Sequence, residues 1–180
     1  MIIGLSGYAQ TGKDTIANYL INHYGYKRVA FADPIRRSLY TLNPLVAVGE
    51  FKAVHLQQAV DGMGWEEVKR TSPETRRLLQ VMGTEVGREM FGDDFWVKQA
   101  MRGVSKFDKI VFTDVRYPNE YKAIKLQEGR MLRITKPSVI AVNNHSSESA
   151  LDGHGFDGII VNDGSIEELH RSIDLFMKEL

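Results

Sequence analysis

A chain of 180 residues, 43% of them apolar, is long enough to bury the core of one domain. Lys plus Arg number 23 and Asp plus Glu number 23, so the near-zero net charge gives no support to a broad nucleic-acid-binding surface. The absence of cysteine excludes disulfides, thiolate metal sites and a cysteine nucleophile.

No apolar run approaches a membrane span. The opening MIIGLSG lacks the basic leader of a signal peptide. The expectation is a cytoplasmic protein acting on a small molecule, with neither a membrane nor a nucleic acid as partner.

The elements alternate in type. Ile2, Ile3 and Leu5 form a short buried-strand pattern. A helix follows a glycine-rich loop, with Ala17, Leu20, Ile21 and Tyr24 on one face. KRVAF reads as a second strand. DPIRRSLYTL reads as a helix with Asp33 at its cap and Pro34 in its first position.

Residues 43 to 104 read differently, as helices and loops with no clear strand. Ser72-Pro73-Glu74 is a helix start, and Leu78, Met82, Val86 and Met90 recur every four residues behind it. DDFWVKQAM begins another helix.

KIVFTD and RMLRIT restore the strand signal. Residues 137 to 156 read as a long polar loop with the character of a lid, and GIIV as a last strand. Ser165 and Glu168 have capping-box spacing, and the final helix carries Ile166, Leu169, Ile173 and Phe176 on one side. This alternation predicts a single α/β domain over residues 1 to 180: three α/β/α layers with a parallel sheet. Residues 43 to 104 would be a helical insertion over the carboxyl edge of that sheet, where such folds bind ligands.

The loop GLSGYAQTGKDT nearly matches G-x-x-x-x-G-K-[ST], with Gly7, Gly12 and Lys13 in place. It follows an apolar strand and opens an amphipathic helix, the setting in which glycines let backbone N–H groups close around phosphate oxygens. Lys13 would bridge the β- and γ-phosphates of a nucleotide. The alternative is a plain glycine turn between strand and helix. Asp14 stands where the pattern has a hydroxyl. A carboxylate is a hard oxygen ligand suited to Mg²⁺, so Asp14 is the metal candidate. Otherwise Asp14 favours the first helical turn through the dipole and Thr15 supplies the hydroxyl.

Asp114 and Arg116 lie just past the IVFT run, so both belong at the carboxyl edge beside the loop. Asp114 would orient a hydroxyl or a hydrated Mg²⁺, and Arg116 would clamp a phosphate in bidentate fashion. The alternative is a structural Asp–Arg pair. Asp33 and Arg36 mark the next strand–helix edge, and Arg76 and Arg77 lie on the insertion helix. Gly83 inside an apolar helical pattern hints at a close approach. Trp96 is either core or a flat face for a nucleobase.

LSGYAQTGKDT, FADPIRRSL, RRLLQVMGTE, DFWVK, TDVRYPNE, HSSE and VNDGSIEEL occur in that order. By this set the chain resembles the phage-type deoxynucleoside monophosphate kinases, relatives of the adenylate-kinase-like P-loop kinases. The resemblance covers most of the chain except roughly residues 43 to 70. It implies the P-loop nucleoside-monophosphate-kinase fold, with ATP on Gly12, Lys13, Asp14 and Thr15. It implies a deoxynucleoside monophosphate among Arg36, Arg77, Gly83, Thr84, Trp96, Asp114, Arg116 and Glu120. In this family Asp after the loop lysine is the rule. Members can carry basic residues inside the loop where this chain has Ala9 and Gln10, a departure that touches base selectivity. FDGIIVNDGS also resembles the tail of dephospho-coenzyme A kinases, near the adenine.

The expected reaction is dNMP + ATP = dNDP + ADP, with Mg²⁺, in the host cytoplasm if the chain is phage-encoded. Lys13, Arg116 and Asp114 would carry the catalysis. Arg133 and Lys136 are cation candidates at the start of the lid-like loop, with plain surface charge as the alternative. Other acceptors of the superfamily, dephospho-coenzyme A or phosphomevalonate, are the alternative enzymes, and a non-catalytic ATP-binding switch the alternative class. The helical insertion offers a homodimer surface. His145, Ser147 and Glu148 do not make a hydrolase: GLSGY lacks the closing glycine of a nucleophile elbow.

Overall fold

Five parallel strands carry the main sheet in the computed structural model, which describes residues 1–49, 52–139 and 150–180. They are β1 Ile2–Ser6, β2 Lys27–Val29, β5 Ile110–Phe112, β6 Arg130–Thr135 and β7 Gly158–Val161. Their order is β2-β5-β1-β6-β7. The chain leaves β1 for one edge, returns to fill the gap with β5, then crosses to β6 and β7. The carboxyl end of β1 therefore opens at the point where the strand order reverses, where open α/β sheets bind ligands.

Side chains alternate across β1. Ile3 and Leu5 join the core made with Ile16, Ala17 and Leu20 of α1 (Lys13–Tyr24) and Leu169, Ile173 and Phe176 of the last helix, α7 (Ile166–Lys178). Gly4 faces the other way, where a Cβ would lie 2.7 Å from Ile124 of α6 (Pro118–Leu126). Helices thus cover both faces of the sheet, and the expected three layers are present. Ser165 caps α7 by accepting from Glu168 N at 3.2 Å, and Ser165 N donates in turn to the Glu168 carboxylate at 2.8 Å. Ile166, expected on the buried side, is 60% exposed, because the packed stripe begins one turn later at Leu169.

Two compact units divide the chain: Met1–Phe31 with Met101–Leu180, and Ala32–Ala100. The second begins well before the expected boundary near residue 43. The cause is α2 (Asp33–Leu42), which packs on the later helices of its own unit. Its cap is Ala32, and Asp33 is the first helical residue. The second unit also holds strands that the sequence does not reveal. β3 (Leu45–Val48) and β4 (Lys52–His55) pair antiparallel, with Val46 opposite Val54. Four residues are too few to show a clear period of two. Val46 anchors the hairpin in a core with Leu39 and with Leu56, Ala59 and Val68 of α3 (Leu56–Thr71), which is broken at Gly64. Ser72 caps α4 (Pro73–Val81), which runs on as a π-helical segment, Met82–Met90, before α5 (Phe95–Ala100). No helix among the described residues is long and apolar enough to cross a membrane.

Two consequences of the packing are measurable. The Tyr26 side chain is buried, and its hydroxyl has no hydrogen-bond partner among the described residues. Burial pushes it up to about 12. An unpaired buried hydroxyl costs about 1–3 kcal/mol. Tyr26→Phe is therefore expected to raise the urea midpoint of unfolding, and a lower midpoint would contradict this packing.

Asp174 of α7 takes hydrogen bonds from Tyr24 at 2.7 Å and from Tyr19 at 3.0 Å, fastening α1 to α7. The Tyr24 bond holds the Asp174 carboxyl below the usual carboxylate range, and the same bond pushes Tyr24 up to about 12. The Asp174 contribution is present above its unfolded value, ~3.9, and is lost as pH falls through the folded value. The Tyr24 contribution is present below ~10 and is lost as pH rises through about 12. In urea titrations across pH, Asp174→Ala is expected to lower the neutral plateau and to shrink the acid-side fall.

Candidate functional site

The loop between β1 and α1 is shaped by contacts that only glycine allows. A Cβ on Gly7 would lie 2.3 Å from the Ile134 carbonyl oxygen. Gly12 has φ 102°, and a Cβ there would lie 2.6 Å from Asn162 Nδ2. Gly12 is also the N-cap of α1, so the first-turn N–H groups, those of Lys13, Asp14 and Thr15, have no acceptor within the helix itself. Such a turn is a ready anion site.

Lys13 Nζ donates to the carbonyls of Gly7 at 2.8 Å and Tyr8 at 2.5 Å, which holds the ammonium within the curve of the loop. Thr11, buried, donates to the Tyr8 carbonyl at 2.9 Å. Asn162 Nδ2 donates to the Thr11 carbonyl at 3.0 Å. Asn162 belongs to VNDGS and is the first residue after β7. Its part in fixing the loop depends on a contact across most of the chain, which no local pattern shows.

Asp114 and Arg116 follow β5, next to β1 in the sheet. Asp114 Oδ1 accepts from Phe31 N at 2.7 Å, which ties the segment after β2 to the end of β5. Arg116 is exposed, and its backbone N–H donates to Glu120 Oε2 at 2.7 Å. The same oxygen takes the Tyr117 N–H at 3.1 Å. Glu120 is buried at the third position of α6, so its carboxylate caps this turn and sets the course of the chain at Arg116. The helix itself went unread in the sequence, although Pro118 and Glu120 are start signals.

The remaining candidates lie in the second unit. Asp33 occupies the first turn of α2. Arg36 pairs with Glu66 at 3.1 Å. Arg77 makes a two-bond pair with Glu74, at 2.7 and 2.8 Å, and the Arg77 hydrogen bonds hold the Glu74 carboxyl below its ordinary value. Solvated pairs of this kind contribute little net stability, so they yield readily to a phosphate. Arg76 is committed elsewhere: it donates to the carbonyls of Lys69 and Arg70 at the end of α3.

Gly83 and Thr84 lie in the π-helical segment, and winding of this type is frequent at functional sites. The close approach suspected at Gly83 is present, since a Cβ there would lie 3.3 Å from Ile35 Cδ1, and a tighter one occurs one turn on, at Gly87, where a Cβ would lie 1.8 Å from Trp96 Nε1. Trp96 donates from Nε1 to the Gly83 carbonyl at 2.9 Å and is 7% exposed. Trp96 is therefore core that holds the Gly83–Thr84 backbone, rather than an open stacking face.

Among the described residues no three His, Cys, Asp or Glu gather into a metal cage. Mg²⁺ is usually held by substrate phosphates and one or two protein oxygens. The oxygens at hand are those of Asp14, exposed, and Thr15, in the first turn of α1. His145, Ser147 and Glu148, with half of the lid-like loop, lie outside the described residues.

A family model described as deoxynucleotide monophosphate kinase matches residues 65–173. The deoxynucleotide monophosphate kinase of Enterobacteria phage T4 is 24% identical over 99% of this chain and 99% of its own. That of Escherichia phage RB69 is 30% identical over 57% of this chain and 44% of its own. A protein of Acanthamoeba polyphaga mimivirus, 28% identical over 96% of this chain and 94% of its own, carries the same name in provisional form. Among solved structures, a shikimate kinase of Aquifex aeolicus matches 99% of this chain and 97% of its own with a TM-score of 0.49 and 12% identity.

Proposed function

The chain belongs to the deoxynucleotide monophosphate kinase family, and we propose from that premise that it transfers the γ-phosphoryl group of ATP to a deoxynucleoside monophosphate, giving the diphosphate and ADP. The observation that carries the reading is the loop itself: a Gly7–Gly12 curve at the central strand, closed around the Lys13 ammonium at the mouth of α1.

Phosphoryl transfer is largely a matter of position and charge. Lys13 and the first N–H groups of α1 would bind the β- and γ-phosphates of the donor. When bound, Mg²⁺ on the phosphates and Asp14 or Thr15 would neutralise charge on the transferring group. Arg116, exposed at the β5 edge, would hold the acceptor phosphate, with Arg36 and Arg77 as further acceptor cations. Asp114, which takes the Phe31 N–H, would orient the nucleotide or the hydrated metal. Asp33, Gly83 and Thr84 would contact the acceptor nucleotide. Glu120 and Trp96 would act through the backbones they hold. The acceptor needs no general base, since a nucleoside monophosphate is already an anionic nucleophile near neutral pH.

The test is ADP formation from ATP and Mg²⁺ with each deoxynucleoside monophosphate, its ribose counterpart, dephospho-coenzyme A and phosphomevalonate. Strong stimulation by at least one deoxynucleotide is expected. Stimulation by one of the last two acceptors alone would replace this reading. ATP binding with no stimulation at all would make the chain a nucleotide-binding switch.

A further inference from the structure

Arg133 has no part in the reaction just described, yet it is a well-enclosed cation. Its side chain is 11% exposed. It stands on β6 opposite Ser6 of β1. One guanidinium nitrogen donates to Ser6 Oγ at 3.1 Å and another to Asp152 Oδ1 at 2.6 Å. The guanidinium carbon lies 5.2 Å from the Tyr8 ring centroid and 5.6 Å from that of Phe156. Tyr8 in turn donates its hydroxyl to Asp152 Oδ2 at 3.2 Å. The two oxygens of Asp152 are divided between Arg133 and Tyr8.

A closed ring results, from Ser6 through Arg133 and Asp152 to Tyr8. Ser6 and Tyr8 flank Gly7, and the carbonyls of Gly7 and Tyr8 are the two that Lys13 grips. The far side of the ring is anchored independently. Tyr121 of α6 donates to the Gly155 carbonyl at 2.5 Å, and its ring packs edge-on against His154 and Phe156. Arginine suits this position because one planar fork serves two acceptors while its faces meet aromatic rings; lysine offers a single point charge. Asp152 is 47% exposed, so water can take over its charge if the arginine is lost.

We infer that Arg133, with Asp152, is a positioning residue for the phosphoryl donor: it clamps residues 151 to 156 onto the first residues of the phosphate loop and so fixes the shape that Lys13 and the α1 N–H groups present. It touches no substrate. The inference rests on the reading of that loop as the donor site.

The test is equilibrium binding of ATP with Mg²⁺ and, separately, of a deoxynucleoside monophosphate, with KM for each and a melting curve for every variant. Arg133→Met is expected to weaken ATP binding by about tenfold, and to raise its KM alike, while acceptor binding stays within about twofold. Arg133→Lys should recover only part of the loss. Asp152→Asn and Tyr8→Phe should each weaken ATP binding, and their effects should not add. Unchanged ATP affinity in folded Arg133→Met overturns the inference, as does a melting loss with both affinities intact. Should Arg133→Met not fold, unchanged ATP affinity in both Asp152→Asn and Tyr8→Phe overturns it. A wild-type protein that binds ATP but phosphorylates no deoxynucleotide refutes the proposed reaction, while the ATP affinities still decide the clamp.

Discussion

Lys13→Met is expected to lower kcat/KM for phosphoryl transfer by on the order of 10²–10³-fold or more, with little change in melting temperature. The ammonium sits in the curve of the loop, 2.8 Å from the Gly7 carbonyl and 2.5 Å from that of Tyr8. It is the positive charge that the loop itself grips, and methionine keeps the length of the stem without it. The two carbonyls that lose their donor lie beside an open loop and can be hydrated, so the fold survives. Steady-state kinetics with saturating ATP and a varied deoxynucleotide read the effect. A loss below about tenfold would mean that the loop does not bind the transferring phosphate.

Gly87→Ala is expected to be the most damaging single methyl in the second unit. The new Cβ would lie 1.8 Å from Trp96 Nε1, 2.4 Å from Cε2 and 2.8 Å from Cδ1. A buried indole ring cannot fold away as the end of a flexible side chain can. Overpacking of this kind costs about 1–3 kcal/mol. Displacing the ring also breaks its bond to the Gly83 carbonyl. The expected result is a lower urea midpoint together with a raised KM for the acceptor, since Gly83 and Thr84 ride on the disturbed segment. ATP binding should hold. An unchanged midpoint would show that the indole does not pack on Gly87.

The same tryptophan shows where sequence reasoning stops. The phosphate loop was legible because its parts are local: an apolar strand, spaced glycines, a lysine and an amphipathic helix within two dozen residues. Asp114 and Arg116 were legible because a buried run must end at an edge of the sheet. Gly83 drew attention as a glycine inside an apolar helical pattern, and a Cβ there would lie 3.3 Å from Ile35 Cδ1, but the tighter approach is at Gly87. Only the π winding and a partner nine residues away decide between them. The four-residue recurrence of Leu78, Met82, Val86 and Met90 exceeds the 3.6 of an α-helix, a hint of that wider winding.

The hairpin at Leu45–His55 was missed because its strands have four residues each, and the α6 helix because Ile124 and Glu120 are its buried side chains amid charged and polar neighbours. Arg133 read as a lid cation or surface charge, since its neighbours Leu132 and Ile134 carry the buried signal of β6. What covers the arginine comes from Tyr8 and from residues 152 to 156, and such long-range pairings leave no local trace.

The most direct measurement follows the phosphoryl group itself. ATP labelled in its γ-phosphate is incubated with Mg²⁺, the enzyme and each deoxynucleoside monophosphate, and the products are separated. The expected result is label in a deoxynucleoside diphosphate, formed in step with ADP and lost in Lys13→Met. Label found only in inorganic phosphate, at a rate no deoxynucleotide alters, would contradict a transfer reaction.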